Sequence, residues 1–377
     1  MRNPIRLLML ILITPLLLTG CWDFEEADQR GFVTTIGIDA NPPAGILLSV
    51  QIPMPQKMLP PGIQGGSVSM AEKTFNTVSV TAKTVNDALL VLQTKTYRDL
   101  VVQQNKSIII GAEAARIGVA PLLEFLTRNP KSPPQALIFI TKGLSAKDLL
   151  SATPSQTILP GLMFVQTAQS IVKYDRTYFI PIWLFQQKID HPTKDAYAPL
   201  IGFDPSEGQY IEAGLAAFTG NRMTGELTPR ETQLFGMITG LLKEGGLTVS
   251  IPGGAVTLRN SYAKSKIKVV MRRGLPDFTV QVTIQGKISE LTGRGFNATS
   301  PEDFQRLERT MQNALQPELV AVIRRLQYYN SDIIDFGEQL RVQHQRVWER
   351  TDWKRTFPSV KFQVRVKVKI LGNGVLR

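Results

Sequence analysis

With 377 residues, 43% of them hydrophobic and 20% charged, the chain is apolar enough for proper cores and too lightly charged to be disordered. Its 43 Lys and Arg outnumber its 31 Asp and Glu, giving a net charge of +12, a balance suited to an anionic surface such as membrane headgroups. One cysteine excludes an internal disulfide, and two distant histidines without a cysteine companion exclude a His/Cys metal site.

The chain opens with Arg2 and Arg6, an apolar run from Leu7 to Ile13, and a second from Leu16 to Leu18. A charged start, an apolar stretch and small residues at a cut have the form of an export signal. As a helix, Leu7 to Leu18 would cover only about 18 Å at ~1.5 Å per residue, short of a bilayer core of about 30 Å. Leu18-Thr19-Gly20-Cys21 matches the bacterial lipobox, in which the Cys21 thiol takes a diacylglyceryl group and cleavage falls between Gly20 and Cys21. Cys21 is the only cysteine and stands at the required position. Residues 1–20 are therefore expected to be a lipoprotein signal peptide. No later segment approaches ~18 apolar residues, so the lipid would be the sole membrane attachment.

Beyond the acidic stretch at Glu25, Glu26 and Asp28, which reads as solvated linker charge, Gly31 to Asp39 and Ile46 to Ile52 read as a hairpin. Met54 to Met70, rich in Gly and Pro, reads as a loop, and Thr74 to Ala82 continues the sheet. At Thr84 the period changes to a helical one through Val85, Ala88, Leu89 and Leu92, with Thr84 as N-cap. Ser107 to Ile110 and Gln135 to Thr141 read as strands alternating with helices through Leu122 to Leu126 and after Ser145. Ile158 to Val172 and Tyr178 to Lys188 read as helices. This mixed α/β N-terminal domain is assigned residues 21–201, open to subdivision, with a boundary at Gly202 to Gln209.

The second domain, 210–377, opens with a hairpin turning at Gly220-Asn221, then a helix started by Thr228-Pro229-Arg230-Glu231. Leu247 to Ile251, Ala255 to Leu258, Ser265 to Met271 and Phe278 to Ile288 read as antiparallel strands. Ser300-Pro301 starts a long helix that Pro317 is expected to kink or restart. At the end, Val360, Phe362, Val364, Val366, Val368 and Ile370 alternate with Lys361, Gln363, Arg365, Lys367 and Lys369, a half-buried strand. The expected fold class is α+β, its C-terminal half an antiparallel sheet with helices packed on one face.

No catalytic constellation emerges. There is no G-x-S-x-G elbow and no phosphate loop ending in Lys-Ser or Lys-Thr. Gly293 to Ala298 superficially fits a dinucleotide fingerprint, but the strand before it alternates where a Rossmann strand is buried on both faces. His191 and His344 are isolated. The basic comb Lys361, Arg365, Lys367 and Lys369 reads as a solubilising sheet face, and Trp348, Trp353 and Phe357 as packing on the last strand. The expectation is no enzyme, no cofactor, no metal and no nucleic acid.

Several blocks resemble one family, the Ger(x)C spore germination lipoproteins, the C subunits of nutrient germinant receptors. Gly20-Cys21-Trp22-Asp23 with Val33 to Asp39 resembles its mature N-terminus, and Ile109 to Gly118 its first strand–helix segment. Ala213-Gly214-Leu215-Ala216-Ala217-Phe218, Met223 to Leu227 and Glu231-Thr232 resemble the opening of its second domain. Asp332-Ile333-Ile334-Asp335-Phe336-Gly337-Glu338, Trp348, Trp353, Phe357-Pro358 and the final strand resemble its C-terminus. The resemblance implies a non-enzymatic subunit with α+β subdomains, anchored through Cys21 on the outer face of the spore inner membrane. It also implies assembly with a multi-spanning A-type subunit and a transporter-like B-type subunit. The alternative is a solute-binding lipoprotein of a membrane transporter, which ordinarily has two similar α/β lobes. A lipid-anchored hydrolase is disfavoured by the missing motifs.

Overall fold

A computed structural model of the chain describes residues 29–54, 74–154, 165–166, 177–293 and 300–373. The signal segment, Cys21, the 55–70 part of the expected loop, most of the Ile158–Val172 stretch and residues 294–298 of the fingerprint segment lie outside the described residues.

The largest element is an eight-stranded sheet in the order β10-β9-β8-β7-β6-β2-β3-β4. Its strands are β2 (Thr35–Asn41), β3 (Gly45–Pro53), β4 (Phe75–Ala82), β6 (Ser107–Ile110), β7 (Leu137–Thr141), β8 (Tyr197–Asp204), β9 (Gln209–Thr219) and β10 (Arg222–Leu227). The central strands β2, β6, β7 and β8 run parallel, with antiparallel hairpins on both flanks. Parallel strands need cover on both faces, and β6 meets that demand with four consecutive buried residues, Ser-Ile-Ile-Ile. Ile108 and Ile110 join the main core with helices α1 (Val85–Lys95) and α3 (Ala120–Arg128), while Ile109 points the other way. There it packs with Phe139, Leu149 and Leu150, the leucines coming from α4 (Ala146–Ser151). Short β1 (Arg30–Phe32) pairs in parallel with β5 (Asp99–Val101) beside this sheet.

Local signals set the helix starts. Thr84 Oγ1 accepts from the N–H of Asp87, and Ser145 Oγ from that of Asp148. Thr228 and Glu231 form a reciprocal capping box that opens α6 (Pro229–Thr239). The helix expected from Tyr178 is shorter. α5 (Ile182–Asp190) begins only after Pro181, which disfavours helical backbone in the residue before it. Ile180 instead lies outside the helix, its carbonyl accepting from Ile138 N–H at 3.1 Å.

The segment 202–209 is the closed end of a hairpin, with residues 205–208 as its turn: β8 and β9 pair from Asp204↔Gln209 to Tyr197↔Ala217. The first strands after it thus extend the N-terminal sheet. The second sheet has the order β11 (Gly245–Ile251), β12 (Gly254–Arg272), β13 (Leu275–Gly293), β14 (Lys361–Asn373). The stretches 255–258 and 265–271 belong to one strand of 19 residues, which absorbs Asn260 at positive φ within an irregular register. The sheet is antiparallel up to β13, and β14 then pairs with β13 in parallel. The connection to β14 contains α7 (Pro301–Tyr329), which runs unbroken through Pro317. Leu315 and Leu319 are buried on either side of that proline. One apolar stripe thus packs along the whole helix, and that packing outweighs the hydrogen bond that Pro317 cannot donate.

Val364 and Val368 are buried on the core side of β14, against α7, while Lys361, Arg365, Lys367 and Lys369 are exposed on the other. Val364→Ala should therefore cost about 2 kcal/mol of stability, whereas Lys367→Ala should stay within ~0.5 kcal/mol. Urea midpoints of the two variants check this. A larger loss for Lys367→Ala than for Val364→Ala would mean that the two faces of the strand are exchanged.

Candidate functional site

Two polar clusters stand out from the apolar framework. The first lies where the carboxyl ends of β2, β6 and β7 open into a cleft of about 540 Å³. In mixed α/β sheets such ends are the usual place for a ligand. Here the chain fills the position itself. The Asp39 carboxylate accepts from the N–H of Ala146 at 2.7 Å and of Lys147 at 2.9 Å, the first turn of α4. That carboxylate occupies the place an external anion would take at a helix start. Gly111 is required beside it, because a Cβ there would overlap Asp39 Oδ1. Burial raises the Asp39 pKa, with the two backbone donors opposing the rise.

Across the cleft, Glu226 of β10 bridges two cations. It pairs with Arg116, at 2.9 Å from α2 (Ala112–Ile117), and with Lys142, just beyond β7. Tyr329, at the end of α7, donates its hydroxyl to the Glu226 carbonyl at 3.1 Å and lies over Gly225, where any Cβ would strike the ring. The two cations of this cleft are thus paired with Glu226 of the same chain, and the effect is to fasten β10 and α7 to the ends of the parallel strands. A wider groove of about 950 Å³ runs along α7 past Val320, Arg324 and Tyr328, without a carboxylate or histidine in its lining.

The second cluster centres on Asp332, which is buried between α7 and α8 (Phe336–Gln343). Its carboxylate accepts from Phe336 N–H at 2.9 Å, Gly337 N–H at 2.6 Å and Trp353 Nε1–H at 2.9 Å. Its own N–H donates at 2.8 Å to Asp195, and the other Asp195 oxygen accepts from Gly220 N–H at 2.9 Å. Burial lifts the Asp332 pKa well above its ordinary value and raises that of Asp195 too, against the pull of the backbone donors. Around this pair, Thr193 Oγ1 donates to Glu338 at 2.6 Å, Lys188 pairs with Asp335 at 3.3 Å, and Thr219 Oγ1 donates to the Asn330 carbonyl at 2.8 Å. A Cβ on Gly337 would press on Trp353 Nε1 and the Thr193 carbonyl. The block Asp332 to Glu338 thus clamps the end of the long helix to strands of the first sheet.

The aromatic residues close this junction. Phe278 stacks on Phe336 with ring centroids 4.4 Å apart, and Trp353 lies 5.7 Å from Phe357 and 6.0 Å from Trp348. The tryptophan pair is packing, as the sequence suggested. His191 bonds Thr193 through Nδ1, and His344 lies 3.2 Å from the Val269 carbonyl, so the two histidines serve separate places. Among the described residues no group of three His, Cys, Asp or Glu could hold a metal, and no helix is long and apolar enough to cross a membrane. Gly20 and Cys21 lie outside the described residues. Asp332, Asp195 and Glu226 carried no role in the sequence reading. Their only signal was that Asp332 and Glu226 sat inside the resembling blocks.

Comparison with known proteins places both halves of the chain. Residues 23–203 match a family described as the spore germination protein N-terminal domain. Residues 213–374 match one described as spore germination B3/GerAC like, C-terminal. Spore germination protein B3 of Bacillus subtilis (strain 168) is 24% identical, over 96% of this chain and 96% of its own length. Spore germination protein GerQC of Bacillus cereus is also 24% identical, over 79% of this chain and 82% of its own. The crystal structure of the GerBC protein superposes with a TM-score of 0.57 at 19% identity, covering 93% of this chain and all of that one. That likeness establishes a shared fold.

Proposed function

The chain belongs to the GerAC-like family of spore germination proteins, and from that premise we propose that it is a lipid-anchored, non-enzymatic subunit of a nutrient germinant receptor. The observation that most supports the reading is that both halves match germination families in order, while the polar groups of the cleft and the junction are engaged by the chain itself. Its role would be to hold a membrane complex together. Cys21, after cleavage behind Gly20, would carry the diacylglyceryl group, placing the protein on the outer face of the spore inner membrane beside A-type and B-type membrane subunits. Two acyl chains keep a protein on a bilayer where one does not, and confinement raises its effective concentration toward membrane partners, so modest interfaces suffice. Residues 21–201 and 210–377 would act as two units locked by the β8–β9 pairing and the Asp332 junction.

Spores in which this receptor is the only one, carrying Cys21→Ala or lacking the gene, test the proposal. They should fail to germinate on nutrient yet respond normally to a trigger that bypasses nutrient receptors. A normal nutrient response, or equal failure on both triggers, would remove the reading and favour a solute-binding lipoprotein of a transporter instead.

A further inference from the structure

The outer face of the second sheet carries cations in two columns. Register puts Lys264, Lys266 and Lys268 of β12 on the same face as Lys361, Arg365, Lys367 and Lys369 of β14, with Thr279, Gln281, Thr283 and Gln285 of β13 between them. The rows read Lys264–Thr283–Lys367 and Lys266–Gln281–Arg365, and all the cations of both columns are exposed. With strands about 4.8 Å apart and same-face residues about 7 Å apart, the charges form a flat array roughly 10 Å wide. Along the rows from Tyr262 to Val270 the one carboxylate is Asp277, and Arg272 neutralises it at 3.2 Å. A solubilising surface mixes both signs; this one does not.

The β12–β13 hairpin ends the array. Arg273 and Gly274 turn it with positive φ at both positions. At its tip Leu275 is 65% and Val270 49% exposed, beside Arg272 and Arg273. Alternation and register place Val270, Arg272 and Leu275 on the lysine side.

We propose that this face, led by the 270–275 hairpin tip, docks flat on an anionic phospholipid bilayer. Three features select lipid among polyanions. The cations are almost all lysines on an open plane, point charges suited to diffuse headgroups, with no arginine forks arranged for one bidentate phosphate. The one aromatic residue in the array, Tyr262, spends its hydroxyl on Gln285 at 2.7 Å, and single-stranded nucleic acid would need a stacking platform. The tip pairs apolar side chains with arginines, the composition that settles at a headgroup–acyl boundary. This contact is independent of the Cys21 anchor and fixes orientation: it would hold the second sheet against the bilayer.

Vesicle co-sedimentation of the full chain carrying Cys21→Ala tests it, with neutral phosphatidylcholine vesicles and with vesicles containing one third phosphatidylglycerol. Any binding through the leader's apolar segment is common to both lipids, so the anionic-over-neutral ratio reports electrostatic docking. Adding Lys264→Gln, Lys266→Gln, Arg365→Gln and Lys367→Gln should lower that ratio by roughly 600-fold, each of the four cations near an anionic surface being worth about five-fold. Removing equal charge elsewhere, with Lys83→Gln, Lys95→Gln, Lys106→Gln and Lys131→Gln, should change it by less than about five-fold. Raising salt should reduce the ratio for the unsubstituted face. All these positions are exposed, and unchanged melting temperatures confirm that the variants fold. An unaltered ratio in the face variant, or an equal loss in the control, overturns the proposal. So does face-dependent binding to a DNA duplex without face-dependent binding to anionic vesicles.

Discussion

Replacing Asp332 by alanine is expected to lower the stability of the fold by about 3–5 kcal/mol. The buried carboxylate is the acceptor for three donors, the N–H groups of Phe336 and Gly337 and the indole N–H of Trp353. Removing it orphans all of them in a site closed to water, at about 1–3 kcal/mol for each group that finds no other partner. Asp332→Asn keeps one acceptor oxygen but turns a donor toward a donor, and should cost less, about 1–2 kcal/mol. The two variants also separate hydrogen bonding from charge. A buried carboxyl whose pKa is raised takes up its proton in the folded state before the unfolded chain does at its ordinary 3.8. Stability from this group therefore increases as pH falls through the raised value toward 3.8, and asparagine should remove that slope. Glu338 behaves oppositely in a lower window. Its hydrogen bond with Arg341 holds its pKa down to about 2, so its contribution is lost only as pH falls below 4.5. Urea midpoints across the acid range measure both effects. A cost below about 1 kcal/mol for Asp332→Ala would show that the three donors rearrange freely, and the junction would lose its central role.

What the sequence disclosed follows the range of the forces involved. Caps at Thr84, Ser145, Thr228 and Ser300 are contacts over three residues and were legible. The burial side of β14 was legible too, since alternation reports directly which face meets the core. Its direction was not: alternation is the same in parallel and antiparallel strands, and β14 returns to β13 only after a long connection through α7. The unity of β12 was hidden by Arg259-Asn260-Ser261, which has the composition of a turn but is carried inside the strand with Asn260 at φ 47°. The Asp332 junction could not be read at all. Its partner Asp195 lies 137 residues away, and an aspartate before a short helix looks like a cap until its burial and the Trp353 indole are seen. The cleft at Asp39 misleads in the other direction: its place in the sheet suggests a ligand, and only the geometry reveals that α4 is already capped.

Gly214→Ala should be as damaging as the loss of Asp332, for a steric reason. Gly214 sits at φ +114° where the β8–β9 register slips between Leu200 and Ile201, and an added Cβ would overlap the Leu227 carbonyl oxygen of β10. The backbone strain alone costs an L-residue about 1–2 kcal/mol. The clash cannot be relieved by turning a side chain, because the obstacle is backbone. Leu227 pairs with Leu215 and leads straight into the Thr228 capping box of α6. Moving it weakens the β9–β10 pairing, the cap and the position of Glu226 between Arg116 and Lys142 together. The expected loss is about 3–5 kcal/mol. Gly143→Ala is the matched comparison. It has φ +79° with nothing within 4 Å of the new methyl, so it should carry the strain without the clash, about 1 kcal/mol. Chemical denaturation of the two variants side by side decides the matter. Equal small losses would mean that the β9–β10 hairpin yields easily, and that the joint between the two sheets is softer than its packing implies.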